Sequence, residues 1–247
     1  MNLMLGVKIH SNPKLESPNM LAALPDMGNV AGIGLSYMIK KLDAKLFAEI
    51  YSYWPPFVSY KNGVIEYNQS SYKFYFLEKE NLVIFNGEFN PTDPRRLYEI
   101  CYEVVQMAER MNVKKLYSIG AALRQASSAE PKIFGAVNNE QMLEHIKNFG
   151  VELLEGEGQI SGFNGLILGI AKERGLAATC ILGEIDNPNI VQPKAAQNIL
   201  KVLVNMLDIK PFNMNELDEE EKRKKFMEQQ MSYLENVMER GEPPGIA

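Results

Sequence analysis

Apolar residues recur along this chain in two rhythms, one of strands and one of helices. Residues 19–24 (Asn-Met-Leu-Ala-Ala-Leu) form a short apolar run that stops at Pro25-Asp26-Met27-Gly28, the pattern of a buried strand entering a turn. Val30, Ile33, Gly34, Tyr37, Met38 and Leu42 then fall at helical spacing, which predicts a helix over 29–42, and 44–51 reads as a strand. The next forty residues change character. Tyr53-Trp54-Pro55-Pro56 breaks the chain, Lys61-Asn62-Gly63 is a hairpin turn signal, and 72–77 and 82–85 are strand-like runs. Short turns between such runs demand antiparallel pairing, because a parallel pair needs a long crossover.

Helical rhythm returns at Pro94, with Asp93 as its cap, and puts Leu97, Ile100, Cys101, Val104, Val105 and Ala108 on one face. A strand at 116–120, a helix at 140–149, a small-residue helix at 164–174 followed by Gly175, a strand at 176–182 and a helix at 193–207 complete the body. Strands separated by helices imply right-handed crossovers and a partly parallel sheet. The expected fold is a three-layer α/β/α sandwich: a mixed sheet with antiparallel hairpins, plus a C-terminal helical tail. The body takes residues 1–212 and the tail 213–247. In the tail Phe226, Gln230, Tyr233, Leu234, Val237 and Met238 share one narrow face of a charge-dense helix. Gly241-Glu242-Pro243-Pro244-Gly245 stops it and leaves Ile246-Ala247 at the end.

Composition narrows the function classes. With 46% hydrophobic and 23% charged residues the chain is globular, and its net charge of -5 argues against a nucleic-acid binder. The basic run Lys222-Arg223-Lys224-Lys225 follows Glu219-Glu220-Glu221 and reads as a solvated helix face. Cys101 and Cys180 lie far apart, so neither a disulfide framework nor a zinc site is signalled. No signal-peptide pattern opens the chain and no run is apolar enough for a bilayer, so a cytoplasmic protein without membrane contact is expected.

Few residues offer chemistry. Gly28-Asn-Val-Ala-Gly32-Ile-Gly34 follows a strand and opens a helix, as a dinucleotide loop does, and Glu49 lies where a ribose-binding acid would. Antiparallel hairpins follow, however, where such a site needs a second βαβ unit, so a tight turn with close helix–sheet packing is the better reading. Tyr37 and Lys41 share that helix and cannot serve as a distant catalytic pair. His10 and His145 have no partner motif, both cysteines read as packing residues, and Glu155 and Glu157 read as an exposed loop. In Ser161-Gly162-Phe163-Asn164-Gly165, Ser161 or Asn164 is expected to cap the next helix, in preference to an anion site. No cofactor is expected.

Several segments together resemble one family. Leu24-Pro25-Asp26-Met27-Gly28-Asn29-Val30 is similar to the opening motif of the proteasome assembly chaperone 2 family, and residues 161–169, from Ser161-Gly162-Phe163-Asn164-Gly165 onward, resemble its second. Ile181-Leu182-Gly183-Glu184 and Pro193-Lys194-Ala195-Ala196 resemble the strand and helix that follow, so the likeness spans about residues 19–209, most like the archaeal Pba-type homologues. It implies a fold similar to nucleoside phosphorylases with the catalytic site lost, and a homo-oligomer that chaperones or activates the proteasome core particle. Pro25, Gly28, Asn29, Ser161, Gly162, Asn164 and Gly165 are then structural turn residues, and the tail face with Ile246 and Ala247 is the partner surface. Docking relatives often end in hydrophobic-Tyr-X, whereas Gly245 and Ile246 stand at those two positions here. That favours action by the oligomer itself or with a related subunit. The alternative is a phosphorylase- or hydrolase-like enzyme acting on a nucleoside-type small molecule.

Overall fold

The strands assemble into one nine-stranded mixed sheet in the computed structural model, which describes residues 5–52, 58–67, 70–123 and 131–239, the last nine by their backbone alone. In chain order its strands are β1 (Gly6–Ile9), β2 (Asn19–Ala22), β3 (Lys45–Ser52), β6 (Ser70–Leu77), β7 (Leu82–Gly87), β8 (Lys115–Leu123), β9 (Ile133–Val137), β10 (Glu152–Leu153) and β11 (Ala178–Ile185). Across the sheet they run β1-β3-β6-β7-β2-β8-β11-β9-β10. The centre, β7-β2-β8-β11, is parallel, while β1, β3 and β6 extend it antiparallel on one side and β9 on the other. The remaining strands, β4 (Ser59–Lys61) and β5 (Val64–Glu66), form a separate two-stranded ribbon around the Asn62-Gly63 turn.

Both faces of the sheet are buried, which gives three layers. Along β2, Met20 and Ala22 point toward α2 (Pro94–Arg110) and α4 (Gly162–Glu173). Leu21 and Ala23 point toward α1 (Val30–Lys41) and α5 (Pro193–Met206). A strand covered on both sides reads as an unbroken apolar run, which is why residues 19–24 lack strict alternation. Asp93 caps α2 through its side chain, which accepts a hydrogen bond from the Arg95 backbone N–H at 3.0 Å. The segment expected as a helix at 140–149 is a 3-10 turn (Glu140–Met142) running into the short helix α3 (Leu143–Lys147).

Two strands depart from the sequence pattern. β1 is a largely exposed edge strand, and β9 runs antiparallel to β11 between two segments whose crossovers suggested parallel order. The last helix, α6 (Asn215–Glu239), is seated on α5 through buried Leu217, Glu221 and Lys224. Among the described residues no helix is long and apolar enough to cross a membrane.

Candidate functional site

Strand β2 ends in a turn that carries Asp26 and Asn29 to the C-terminal ends of the parallel strands, where open α/β sheets bind ligands. Gly28 and Asn29 both take left-handed backbone angles (φ 62° and 52°). The Gly28 N–H donates to the Pro188 carbonyl at 2.9 Å, and the Gln192 N–H donates to the Gly28 carbonyl at 2.8 Å. A Cβ on Gly28 would lie 2.5 Å from Gln192 Cγ, so this position needs glycine for its angle and for its space. Asp26 Oδ1 accepts the Ala31 N–H at 2.8 Å, binding the first turn of α1 in place of Asn29, whose side chain makes no cap bond. Asp26 Oδ2 is enclosed without a hydrogen-bond partner among the described residues. Burial, which outweighs the backbone N–H groups of Ala31, Ala121 and Val30 that favour the ionised form, pushes the Asp26 carboxyl up to about 7.

The second motif meets the first here. Asn164 is buried inside α4, where its Oδ1 accepts the Leu24 N–H at 2.9 Å and its Nδ2 donates to the Leu24 carbonyl at 3.0 Å. It continues the hydrogen bonding of β2 beyond the strand's end. The Ser118 hydroxyl donates to the Asn164 carbonyl at 2.6 Å. The expected capping is therefore corrected: Ser161 stands at the N-cap without a side-chain cap bond, and the Asn164 amide belongs to Leu24. Gly165 lets the helix start pass against its own approach, since a Cβ there would fall 2.0 Å from the Ile160 carbonyl oxygen. Asn164→Ala leaves two buried backbone groups of Leu24 unpaired. We expect it to cost about 2 kcal/mol in urea unfolding, since orphaned buried polar groups cost roughly 1–3 kcal/mol.

Two cavities share Asp26 as a wall. One, of about 580 Å³, opens between α1 and β6–β7, against Ser36, Lys73, Tyr75 and Asn86. The other, of about 370 Å³, lies between the ends of β2 and β8 and the start of α4. Among the described residues that line them, neither cavity holds a nucleophile–base pair. His10 Nε2 pairs with Glu49 Oε2 at 2.7 Å on the β1–β3 face, and the Tyr51 hydroxyl donates to the same oxygen at 3.1 Å. Glu49, the sequence's candidate for a ribose, is thus engaged, and His10 has a partner that the sequence did not reveal. Cys101 and Cys180 are buried, and burial pushes the Cys180 thiol up to about 12. Among the described residues no cluster of three or more His, Cys, Asp or Glu could hold a metal ion.

A family model, the PAC2 family, matches residues 20–232, which takes in both motifs and most of α6. The chain belongs to the PAC2 family. The match runs past residue 209, where the motif likeness read from the sequence stopped. The chain superposes on the Pyrococcus furiosus protein PbaB, an archaeal proteasome activator, with a TM-score of 0.79 and 27% identity, covering 94% of this chain and 98% of that one. It superposes on P. furiosus PbaA, an archaeal homolog of proteasome-assembly chaperone, with a TM-score of 0.75 and 25% identity over 95% and 97% of the two chains. An uncharacterised Methanocaldococcus jannaschii protein is 26% identical over 204 residues, 82% of this chain and 78% of its own.

In this PAC2 chain α6 has two faces. Leu217, Glu221 and Lys224 face the body; Phe226 (61% exposed) and Met227 (53%) face away, and Gln230 is exposed as well. The solvated-face reading of the basic run holds for Lys222, Arg223 and Lys225 and fails at Lys224. The Lys224 ammonium is buried, donating to Gln192 Oε1 at 2.7 Å and to Asp186 Oδ1 at 3.3 Å, with Glu228 at 3.8 Å. Burial pushes Asp186 up, but the Gln192 amide and Lys224 outweigh it and hold the carboxyl below its usual range. Gln192 therefore joins the Gly28 turn to the tail helix. Tyr233, Leu234, Val237 and Met238 follow on the backbone of α6. Their side chains, and Ile246 and Ala247 entirely, lie outside the described residues.

Proposed function

We propose that this PAC2 chain is a non-enzymatic, cytoplasmic homologue of proteasome-assembly chaperones that acts through protein–protein contacts as a homo-oligomer. The observation that carries this reading is the likeness to PbaB and PbaA along almost the whole of each chain, α6 included. Residues 1–212 serve as the chaperone-like body and 213–247 as a partner-facing extension. Two exposed apolar surfaces suit such work. One is the outer face of α6, beginning at Phe226 and Met227 and continuing by spacing through Gln230, Tyr233, Leu234, Val237 and Met238. The other is the β4–β5 ribbon, where Tyr60, Val64 and Ile65 are 77%, 67% and 62% exposed. A lone two-stranded ribbon is marginal in water, and cover from a neighbouring copy would stabilise it.

The reading is tested with proteasome α subunits and assembled core particles, using the full chain and two variants. Phe226→Asp with Met227→Asp changes only outward side chains, so the melting temperature should hold while capture of proteasome subunits falls at least tenfold. Ile65→Lys should shift light-scattering mass toward the monomer. A wild-type chain that stays monomeric and binds no proteasome subunit would sink the proposal.

A further inference from the structure

We propose that α6 is an electrostatic strap, seated on the body by charged and polar contacts and released from it as those contacts are screened. Of the side chains described on α6, those of residues 215–230, three are buried: Leu217, Glu221 and Lys224. Leu217, in the first turn, is the one apolar side chain among them. The neighbouring helix α5 differs, because it buries Ile199, Leu200, Leu203 and Val204 along its length. Apolar burial therefore fastens α5 and the start of α6, and does little for α6 beyond Leu217.

Charge holds the rest of the helix. Lys41 Nζ pairs with Glu216 Oε1 at 2.6 Å, and Lys194 Nζ stands 3.5 Å from Asp218 Oδ1. The Lys194 backbone N–H donates to Glu221 Oε2 at 3.3 Å. One helical turn on, the Lys224 ammonium leaves water to reach Gln192 Oε1 and Asp186 Oδ1. Glu216, Asp218 and Asp186 are about half exposed, so salt reaches all three ion pairs. Taking the Lys224 ammonium out of water is costly, and its partners do little more than offset that cost. Seated and released states therefore lie close in free energy. The segment before α6 stays fixed in both. There the Tyr37 hydroxyl donates to the Asn213 carbonyl at 2.9 Å, and Phe212 and Met214 pack against the core. The strap thus turns about Leu217. The Lys222–Glu219 and Lys225–Glu221 pairs lie within α6 and travel with it. Release returns Lys224 to water beside Lys222, Arg223 and Lys225. On the chaperone reading, it also carries the outer face of α6 toward a partner.

Backbone hydrogen exchange on the full chain tests the strap, with α5 as the internal reference. Raising sodium chloride from about 0.1 to 1 M shortens the screening length from about 10 to 3 Å. The amides of residues 219–228 should then exchange about tenfold faster while those of α5 hold. Lys224→Glu sets an anion against Asp186 and should give that faster exchange already at the lower salt. Adding Asp186→Lys restores opposite charges and should return most of the protection, which a merely steric role for Lys224 would not allow. Three results would each overturn the strap: exchange in α6 that ignores salt, loss of protection in α6 and α5 together, or a Lys224→Glu chain that Asp186→Lys does not rescue. Every readout is taken without a proteasome subunit, so the strap and the chaperone reading can fail separately.

Discussion

Replacing Gly28 with alanine is expected to destabilise the chain by about 4 kcal/mol and to loosen α6 in the same step. Two costs combine. The left-handed angle at Gly28 (φ 62°) costs a residue with a Cβ about 1–2 kcal/mol. The Cβ would also stand 2.5 Å from Gln192 Cγ, so Gln192 must move, and with it the oxygen that holds Lys224 at 2.7 Å. Losing a hydrogen bond to a charged group costs about 1.5–3 kcal/mol, while Asp186 and Glu228 stay near the ammonium. Urea unfolding measures the sum, and trypsin cleavage at the exposed Arg223 and Lys225 reports the loosened helix. A double-mutant cycle separates the two costs. In a Lys224→Met background the buried charge is gone, so Gly28→Ala should cost only about 1–2 kcal/mol. If the cost is the same in both backgrounds, the turn and the tail helix are not coupled through Gln192.

Much of this architecture is legible in the sequence, for a physical reason. The segment from Met20 to Tyr37 and the stretch from Gly162 to Val204 are buried on consistent faces, so hydrophobic period reports structure directly. Strand β9 (Ile-Phe-Gly-Ala-Val) is five residues long and half-buried, and nothing local states its direction. Its antiparallel pairing with β11 is decided by tertiary packing. The candidate site is harder to read because its polar pairings are distant in sequence. Asn164 looks like a cap until Leu24, 140 residues away, is seen to hold both ends of its amide. Lys224 looks solvated because its neighbours are charged, yet its partner Gln192 lies 32 residues upstream on another element. Asp26 looks like an ordinary turn residue, and only the walls built by β8 and α4 enclose its second oxygen.

That enclosure makes Asp26→Asn a test of pH dependence. The Asp26 carboxyl titrates from 3.8 in the unfolded reference to about 7 in the fold, so between these values the native state holds a proton that the unfolded chain has released. Stability therefore falls as pH rises through this window, by about 1.4 kcal/mol per unit and at most about 4 kcal/mol in all. Glu49 and Asp186 act in the opposite sense, because partners depress both carboxyls: their contributions are present above the unfolded values and are lost as pH falls. Both residues are common to the wild type and the variant, so they cancel in the difference. Asparagine keeps the Oδ1 that accepts the Ala31 N–H but replaces the enclosed Oδ2 with an amide NH2 that cannot accept the Ala121 N–H as a carboxyl oxygen can, a pH-independent cost of about 1–3 kcal/mol. The two stability curves should therefore cross. Below pH 4 the variant is the weaker protein, and at pH 8 the stronger, because it no longer buries an ionised carboxylate. Urea unfolding at a series of pH values from 4 to 8 measures the difference directly. A difference that stays constant across that range would mean that Asp26 ionises freely in the fold, with solvent reaching the oxygen that the walls of β8 and α4 are held to exclude.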